Sequence, residues 1–322
     1  MKYFLILTLQ LFILFRFEAQ PNASITNGII DAGFYLPDVK DGYYRGARFD
    51  WSGVMPALSW NGHTYFGQWF DSSHYSPTLH DAIMGPVEAF DPIGYNEANV
   101  GEKFLKIGIG MITKPQEEKY FFANPYQIVK NGKWKVKKHP GNVIFTHKLK
   151  DQGYGYSYKK TVSLVEGKPE LEIAHTLKNT GQKTLEGNVF NHNFFVMDKQ
   201  ITGPDFEIIF PFKPEGVASN KDETGNIEGH KITFSKVFSK NDHLQYAPLT
   251  GYGNSSDDYD LRIENHHTGA GVRIIGDKAI SKFVFWSAEK TLSPEPYIHI
   301  KVEPGQEISW KISYQFYECT IN

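Results

Sequence analysis

The segment Asn191-His192-Asn193-Phe194-Phe195 places a histidine between two amides and in front of two aromatic residues. Histidine titrates near neutral pH, so it can give or take a proton during a reaction. The amides are expected to fix the tautomer of the imidazole, and aromatic faces suit the apolar side of a sugar ring. A half-buried histidine on a strand, with its ring nitrogens satisfied by neighbours, explains the same residues without any chemistry.

Two further regions collect polar and aromatic residues that a plain core does not need. The first runs from Tyr43 to Trp51 and continues to Thr78-Leu79-His80-Asp81. The second begins at Phe285-Trp286 and continues through Glu289 to Glu295. Both regions therefore hold candidates for a site shared with the histidine motif.

Each region also has a simpler explanation of its own. Arg48 and Asp50 would form a surface ion pair, and His80 with Asp81 would cap a short helix. Glu295 would be a solvated loop carboxylate. Only the order and spacing of the three regions, taken together, argue for one common site.

The elements that must position these residues are β-strands, because apolar and polar side chains alternate along most of the chain. The Asn61-Gly62 pair predicts a tight hairpin, since both residues tolerate the positive φ angles of a type I′ turn. One short helix is expected at residues 86–90. Strands are expected at 104–111, 143–147, 156–164, 206–212, 232–238, 261–265, 272–275 and 308–316.

Strands at this spacing, joined by Gly, Pro and Asn turns, predict an all-β fold with very little helix, either a sandwich or a barrel. No repeat of fixed period is present, which argues against a propeller. No low-complexity linker interrupts the chain either. Residues 20–322 are therefore expected to form a single domain.

The first residues predict export. Lys2 is followed by an almost uninterrupted apolar run from Phe4 to Phe15, and Ala19 is a small residue before a plausible cleavage point. This is the pattern of a secretory signal peptide at residues 1–19, and its apolar part is too short to span a bilayer comfortably. The mature protein is expected to be secreted or periplasmic, with no membrane contact after signal cleavage.

The charge balance and the cysteine count limit which partners and cross-links can be expected. The net charge is -2, so the charge balance gives no reason to expect nucleic acid as a partner. Cys319 is the only cysteine in the sequence, which excludes an intrachain disulfide. Stability is expected to come from a large core, and the oligomeric state is not predictable from these properties.

In the order of its motifs the chain resembles the aldose 1-epimerase (galactose mutarotase) superfamily, as a divergent secreted member. Gly46-Ala47-Arg48-Phe49 is similar to the element that carries an early arginine in that family. Thr78-Leu79-His80-Asp81 resembles its Leu-His-Gly-Gly motif, with Asp81 at the first glycine. Asn191 to Phe195 resembles Asn-His-x-Tyr-Phe, with Phe194 at the tyrosine, and Glu295 is similar to the glutamate before the closing strand.

The resemblance implies a large antiparallel β-sandwich of the galactose mutarotase type and an isomerase acting on a free sugar or oligosaccharide. It implies His192 as the catalytic acid and Glu295 as the catalytic base, with no metal and no cofactor. The substrate-binding residues that it implies are Arg48, His80, Asp260, Trp286 and Glu289. Glu289 is also an alternative to Glu295 as the base, because a proline follows it as one follows the family glutamate.

Two other functions are compatible with the same fold, since a fold does not determine chemistry. One is a carbohydrate-binding protein that has lost catalysis. The other is a glycan lyase or hydrolase that uses the same sandwich.

Overall fold

The computed structural model describes residues 20–219 and 224–322, so the signal-peptide prediction at residues 1–19 lies outside the described residues. The described part of the chain is built almost entirely of β-strands. Its helical segments are short 3-10 turns at Ser72–His74, Met197–Lys199 and Ser256–Asp258. The strands are β1 Asn22–Thr26, β2 Ile30–Tyr35, β3 Val54–Trp60, β4 His63–Phe66, β5 Val87–Phe90, β6 Lys103–Lys106, β7 Gly110–Thr113, β8 Ile128–Asn131, β9 Lys133–His139, β10 Asn142–Asp151, β11 Tyr154–Leu164, β12 Glu170–Asn179, β13 Leu185–His192, β14 Phe206–Ile209, β15 Gly225–Glu228, β16 Lys231–Phe234, β17 His243–Leu249, β18 Asp260–Asn265, β19 Ala270–Gly276, β20 Lys282–Ala288, β21 Thr291–Val302 and β22 Glu307–Glu318.

Two large antiparallel sheets organise these strands. The ten-stranded sheet has the order β15-β16-β14-β18-β19-β22-β12-β11-β10-β9, and the five-stranded sheet has the order β17-β20-β21-β13-β5. A four-stranded sheet, β1-β2-β3-β4, meets the five-stranded sheet through the bridges Phe66–Phe195 and Phe195–Leu292. A smaller sheet, β6-β7-β8, completes the architecture. The all-β, antiparallel sandwich expected from the sequence is confirmed.

Local patterns explain most of these elements. Strand β12 alternates between buried positions and half-buried or exposed ones, as expected for a strand with one face against a core. The hairpin between β3 and β4 is also confirmed, since Asn61 and Gly62 have φ angles of 48° and 84°. Within the described residues, no helix combines the length and apolar character that crossing a bilayer requires.

Two expectations about local structure are wrong. The segment expected to be a short helix at residues 86–90 is strand β5, because its backbone pairs with β13 through Val87–His192 and Phe90–Val189. The single strand expected at 104–111 is a hairpin of β6 and β7, with Gly108 at φ 76° in the turn between them. In both cases the local structure follows from hydrogen bonding to a partner strand, which the local sequence pattern does not reveal.

A buried polar cluster lies between the two large sheets. Glu88 on β5 forms an ion pair with Lys160 on β11, and its Oε1 lies 2.6 Å from Nε2 of His175 on β12. Asp50 lies 3.9 Å from the same lysine ammonium, and all of these side chains are buried. Arg48 and Asp50 therefore do not form the surface ion pair considered above.

Candidate active site

A cleft of about 590 Å³ opens on one face of the five-stranded sheet. On β13, Asn191 donates to Glu88 and so faces the ten-stranded sheet, whereas Phe190 and His192 alternate to the opposite face and line the cleft. The strands contribute Phe190, His192, Val284, Trp286, Glu295 and Tyr297. The loops around the sheet contribute Arg48, Trp69, His80, Asp81, Tyr120 and Phe122.

His192 and Glu295 form the central contact of this cleft. Nε2 of His192 lies 3.0 Å from Oε1 of Glu295, and the two residues are 3% and 4% exposed. Burial raises the pKa of Glu295 to about 8, although the positive charge of Arg48 opposes this shift. Burial, and then the charge of Arg48, hold the pKa of His192 well below its usual range. At neutral pH the proton of this pair therefore resides on Glu295.

Aromatic rings fix the imidazole of His192. Phe194 stacks on it with a centroid distance of 3.6 Å and an interplanar angle of 7°, while Phe49 and Trp286 approach it edge-on. Phe194 has a φ angle of 44°, a left-handed conformation that a bulky residue rarely adopts. Strain of this kind is maintained where surrounding contacts over-determine the backbone, as the stacking on His192 does here.

The flanking amides do not contact the imidazole, so the expectation that they fix its tautomer is wrong. Asn193 Nδ2 donates to the carbonyl of Pro294 at 2.6 Å, and its Oδ1 accepts from Tyr314. Nδ1 of His192 is buried without a hydrogen-bond partner among the described residues. The two asparagines instead tie the segment carrying His192 to neighbouring strands.

Arg48 and His80 reach the cleft from separate loops. The Arg48 guanidinium lies 4.5 Å from the ring centroid of Phe49 and 4.1 Å from that of Phe122. His80 Nε2 lies 3.6 Å from a carboxylate oxygen of Asp81, and burial lowers the pKa of His80. Two potential hydrogen-bond donors, Arg48 and His80, thus line the same cleft as the His192–Glu295 pair.

Two of the residues suggested by the resemblance lie elsewhere, which corrects their assignment. Asp260, at the start of β18, accepts two hydrogen bonds from Arg273 at 2.7 and 2.5 Å and does not line the cleft. Glu289 lies in the turn between β20 and β21 and lines a different depression with Ser72 and Lys240. Of the two candidate glutamates, Glu295 is the one that meets His192.

Lys106 lines the same cleft and was missed in the sequence. It is 3% exposed, and its Nζ donates to the carbonyl of Phe90 at 2.6 Å and to the hydroxyl of Tyr120 at 3.3 Å. The available signal was its position inside the apolar run Phe104-Leu105-Lys106-Ile107, since lysine is almost never fully buried without a reason.

Comparison with known proteins relates the fold to solved structures only. No family model and no curated protein matches the sequence. An aldose epimerase homologue from C. elegans is 15% identical, with a TM-score of 0.57, over 94% of this chain and 100% of that chain. A putative aldose 1-epimerase from Escherichia coli K12 is 12% identical, with a TM-score of 0.54, over 92% and 99%. A galactose mutarotase related enzyme from Lactobacillus acidophilus is 14% identical, with a TM-score of 0.54, over 93% and 98%. The chain therefore has the galactose mutarotase-like fold.

Proposed function

We propose that this protein, which has the galactose mutarotase-like fold, is an exported enzyme that interconverts the anomers of a free sugar or oligosaccharide. The observation that carries the proposal is the contact between His192 and Glu295 within an aromatic-lined cleft. A volume of about 590 Å³ is within the range of pockets that hold small ligands, and the similar structures include a putative aldose 1-epimerase.

The reaction needs one acid and one base on the substrate. The base removes the proton of the anomeric hydroxyl while the acid protonates the ring oxygen, and the ring opens. The aldehyde then turns about a single bond, and closure from its other face inverts the anomer. We assign His192 as the acid and Glu295 as the base.

These roles require the shared proton to move from Glu295 to His192. Oε1 of Glu295 lies only 3.0 Å from Nε2 of His192, so the proton has a short distance to cross once the carboxyl O–H points at the imidazole nitrogen. It produces an imidazolium and a carboxylate, and the positive charge of Arg48 favours the carboxylate but opposes the imidazolium. We assign Arg48 and His80, which line the same cleft, to hydrogen-bond sugar oxygens, and Trp286 to provide an aromatic surface for the ring.

Mutarotation of freshly dissolved α-anomers tests the proposal. Polarimetry on a panel of aldoses should show acceleration by the wild type and a loss of at least about 100-fold in His192→Ala and Glu295→Gln, in line with the usual contribution of general acid–base groups. Glu289→Gln is the matched control and should retain full activity, because Glu289 lies outside the cleft. Sugar binding without acceleration would instead indicate the carbohydrate-binding alternative, and new reducing ends from a polysaccharide would indicate a hydrolase.

Export is part of the same proposal and rests on the signal-peptide pattern of residues 1–19. The expected result is a mature chain that begins at Gln20 when the protein is recovered from outside the cytoplasm. Amino-terminal sequencing measures this directly. A chain that retains Met1 in the cytoplasmic fraction would contradict export without affecting the catalytic proposal.

A further inference from the structure

Three cationic side chains line the cleft, Arg48, Lys106 and Lys282, and none of them has a carboxylate partner among the described residues. Lys282 is exposed, with its ammonium 4.8 Å from the ring centroid of Tyr297, which leaves Arg48 and Lys106 as the less accessible pair. No carboxylate oxygen of the described residues lies within 4.0 Å of the Lys106 ammonium or the Arg48 guanidinium. Lys106 uses two N–H groups on the Phe90 carbonyl and the Tyr120 hydroxyl, and an ammonium has three. Burying a cation is costly unless it is paired, so the protonated form of Lys106 has one N–H donor and an unpaired charge left for a ligand.

The acidic groups of the cleft are already engaged by other partners. Oδ2 of Asp91 accepts from the backbone and side-chain amides of Asn188, both at 2.8 Å. Asp81 faces His80, and Glu295 contacts His192 and carries a proton at neutral pH. Asp91 and Asp81 attract Lys106 and Arg48 only from beyond ion-pair distance, so neither cation is held by a carboxylate within the cleft.

We propose that the preferred substrate is a sugar acid, whose carboxylate binds Lys106 with Arg48 nearby. The proposal rests on the proposed function and specifies its substrate class. A charge-assisted hydrogen bond from an ammonium to a carboxylate is short and roughly twice as strong as a neutral one. A uronic acid offers such a carboxylate on carbon 6 and keeps a free anomeric centre for His192 and Glu295.

The confined setting of Lys106 favours a monovalent group over a phosphate. Its single remaining N–H and its low exposure suit one carboxylate oxygen, whereas a dianionic phosphate brings a second charge and more acceptor oxygens into the same space. Phosphorylated sugars therefore serve as the competing arm of the test.

The first experiment compares ligands by isothermal titration calorimetry and mutarotation at pH 6.5 and low salt. Glucuronate and galacturonate should bind at least about tenfold more tightly than glucose and galactose. Lys106→Met should lose this preference, whereas Lys103→Met, on the same strand, should keep it. Equal affinity for acid and neutral sugars would overturn the proposal while leaving the epimerase function intact, and tighter binding of glucose 6-phosphate would overturn the carboxylate class.

The second experiment uses only the wild type, so it does not depend on the folding of a variant. Burial lowers the pKa of Lys106 to about 7, and a bound carboxylate should raise it again. Binding of glucuronate near pH 7.5 should therefore take up protons, measured by calorimetry in buffers with different ionisation enthalpies. Glucose supplies the baseline, because it leaves Lys106 without an anion. Proton uptake that is the same for both sugars would contradict a role for Lys106.

Discussion

His192 and Glu295 share a proton in a cleft where burial acts on both groups. Burial disfavours the charged form of each, so the neutral state has the proton on Glu295, and substrate has to draw it across to His192. Both groups belong to one titrating unit, and a pH profile reports the pair. Activity then depends on whether the pair retains this proton.

The proton shared by His192 and Glu295 predicts how activity falls on the alkaline side of the pH profile. Above a pH of about 8 the pair loses the proton that it needs as the acid, so kcat/KM for mutarotation should fall. The measurement is the initial rate at low substrate concentration between pH 5 and 10. A rate that rises through pH 8 to a plateau would show that the deprotonated pair is the active form.

The same shift predicts a change in stability. Glu295 has a pKa of about 8 in the folded protein and near 4.5 when exposed, so the folded state keeps a proton that the unfolded state releases. The free energy of unfolding should therefore fall as the pH rises between these values, by about 1.4 kcal/mol per pH unit at most. In urea unfolding, Glu295→Gln should gain stability relative to the wild type between pH 5 and pH 8, and Glu289→Gln should not. An unchanged difference across that range would contradict the raised pKa.

Cleft residues that belong to a sequence motif can be predicted from the sequence, whereas cleft residues outside any motif cannot. His192, Glu295, Arg48 and His80 stand in recognisable local motifs, so their convergence was expected. Lys106 has no motif, because its role depends on the hydrogen bonds that its ammonium makes with Phe90 and Tyr120, which no local pattern links to it. The assignment of Asp260 failed for a related reason, since its partner Arg273 lies on the adjacent strand β19.

At the scale of elements, a close backbone approach holds the segment that carries the histidine. A Cβ placed on Gly85 would lie 2.0 Å from the carbonyl oxygen of Asn193 and 2.8 Å from that of His192. Only glycine fits at this point, just before β5 pairs with the end of β13. Strand β5 itself has only four residues, too few for its period to separate it from a helical turn.

Gly85→Ala should therefore displace the His192 segment. The expected result is a loss of about 1–3 kcal/mol of stability, typical of forced overpacking, together with a large loss of activity. Gly141→Ala is the control, because a Cβ at Gly141 meets no atom within 4 Å. Thermal unfolding and mutarotation assays measure both effects. Full activity in Gly85→Ala would mean that the segment tolerates the shift.

At the scale of the whole molecule, the charged cluster between the large sheets connects the site to the rest of the fold. Although burial alone would raise the pKa of Glu88, Lys160 and His175 lower it to about 2, so the carboxylate stays ionised inside the core. Glu88 is also the cross-strand neighbour of Asn191, the residue before His192. Alternating strands were predictable from the sequence, but the contacts of Glu88 with Lys160 and His175, which belong to the other large sheet, were not.

Lys160→Met removes the cation that Glu88 and Asp50 share. An uncompensated buried charge costs about 3–5 kcal/mol, so a large fall in the free energy of unfolding is expected by urea denaturation. The neighbouring Lys159→Met is the control, because Lys159 is exposed on the other face of β11. Equal stability of the two variants would show that the cluster contributes little to joining the sheets.

The most direct test of the central claim is a double-mutant cycle on anomer exchange, measured by NMR with saturation of one anomeric signal. If His192 and Glu295 act as one proton-transferring unit, each single variant, His192→Ala or Glu295→Gln, should lose nearly all the acceleration. The double variant should then be no slower than either single variant. Multiplicative losses would show two independent contributions, and exchange by both variants at the wild-type rate would contradict the catalytic role of the pair.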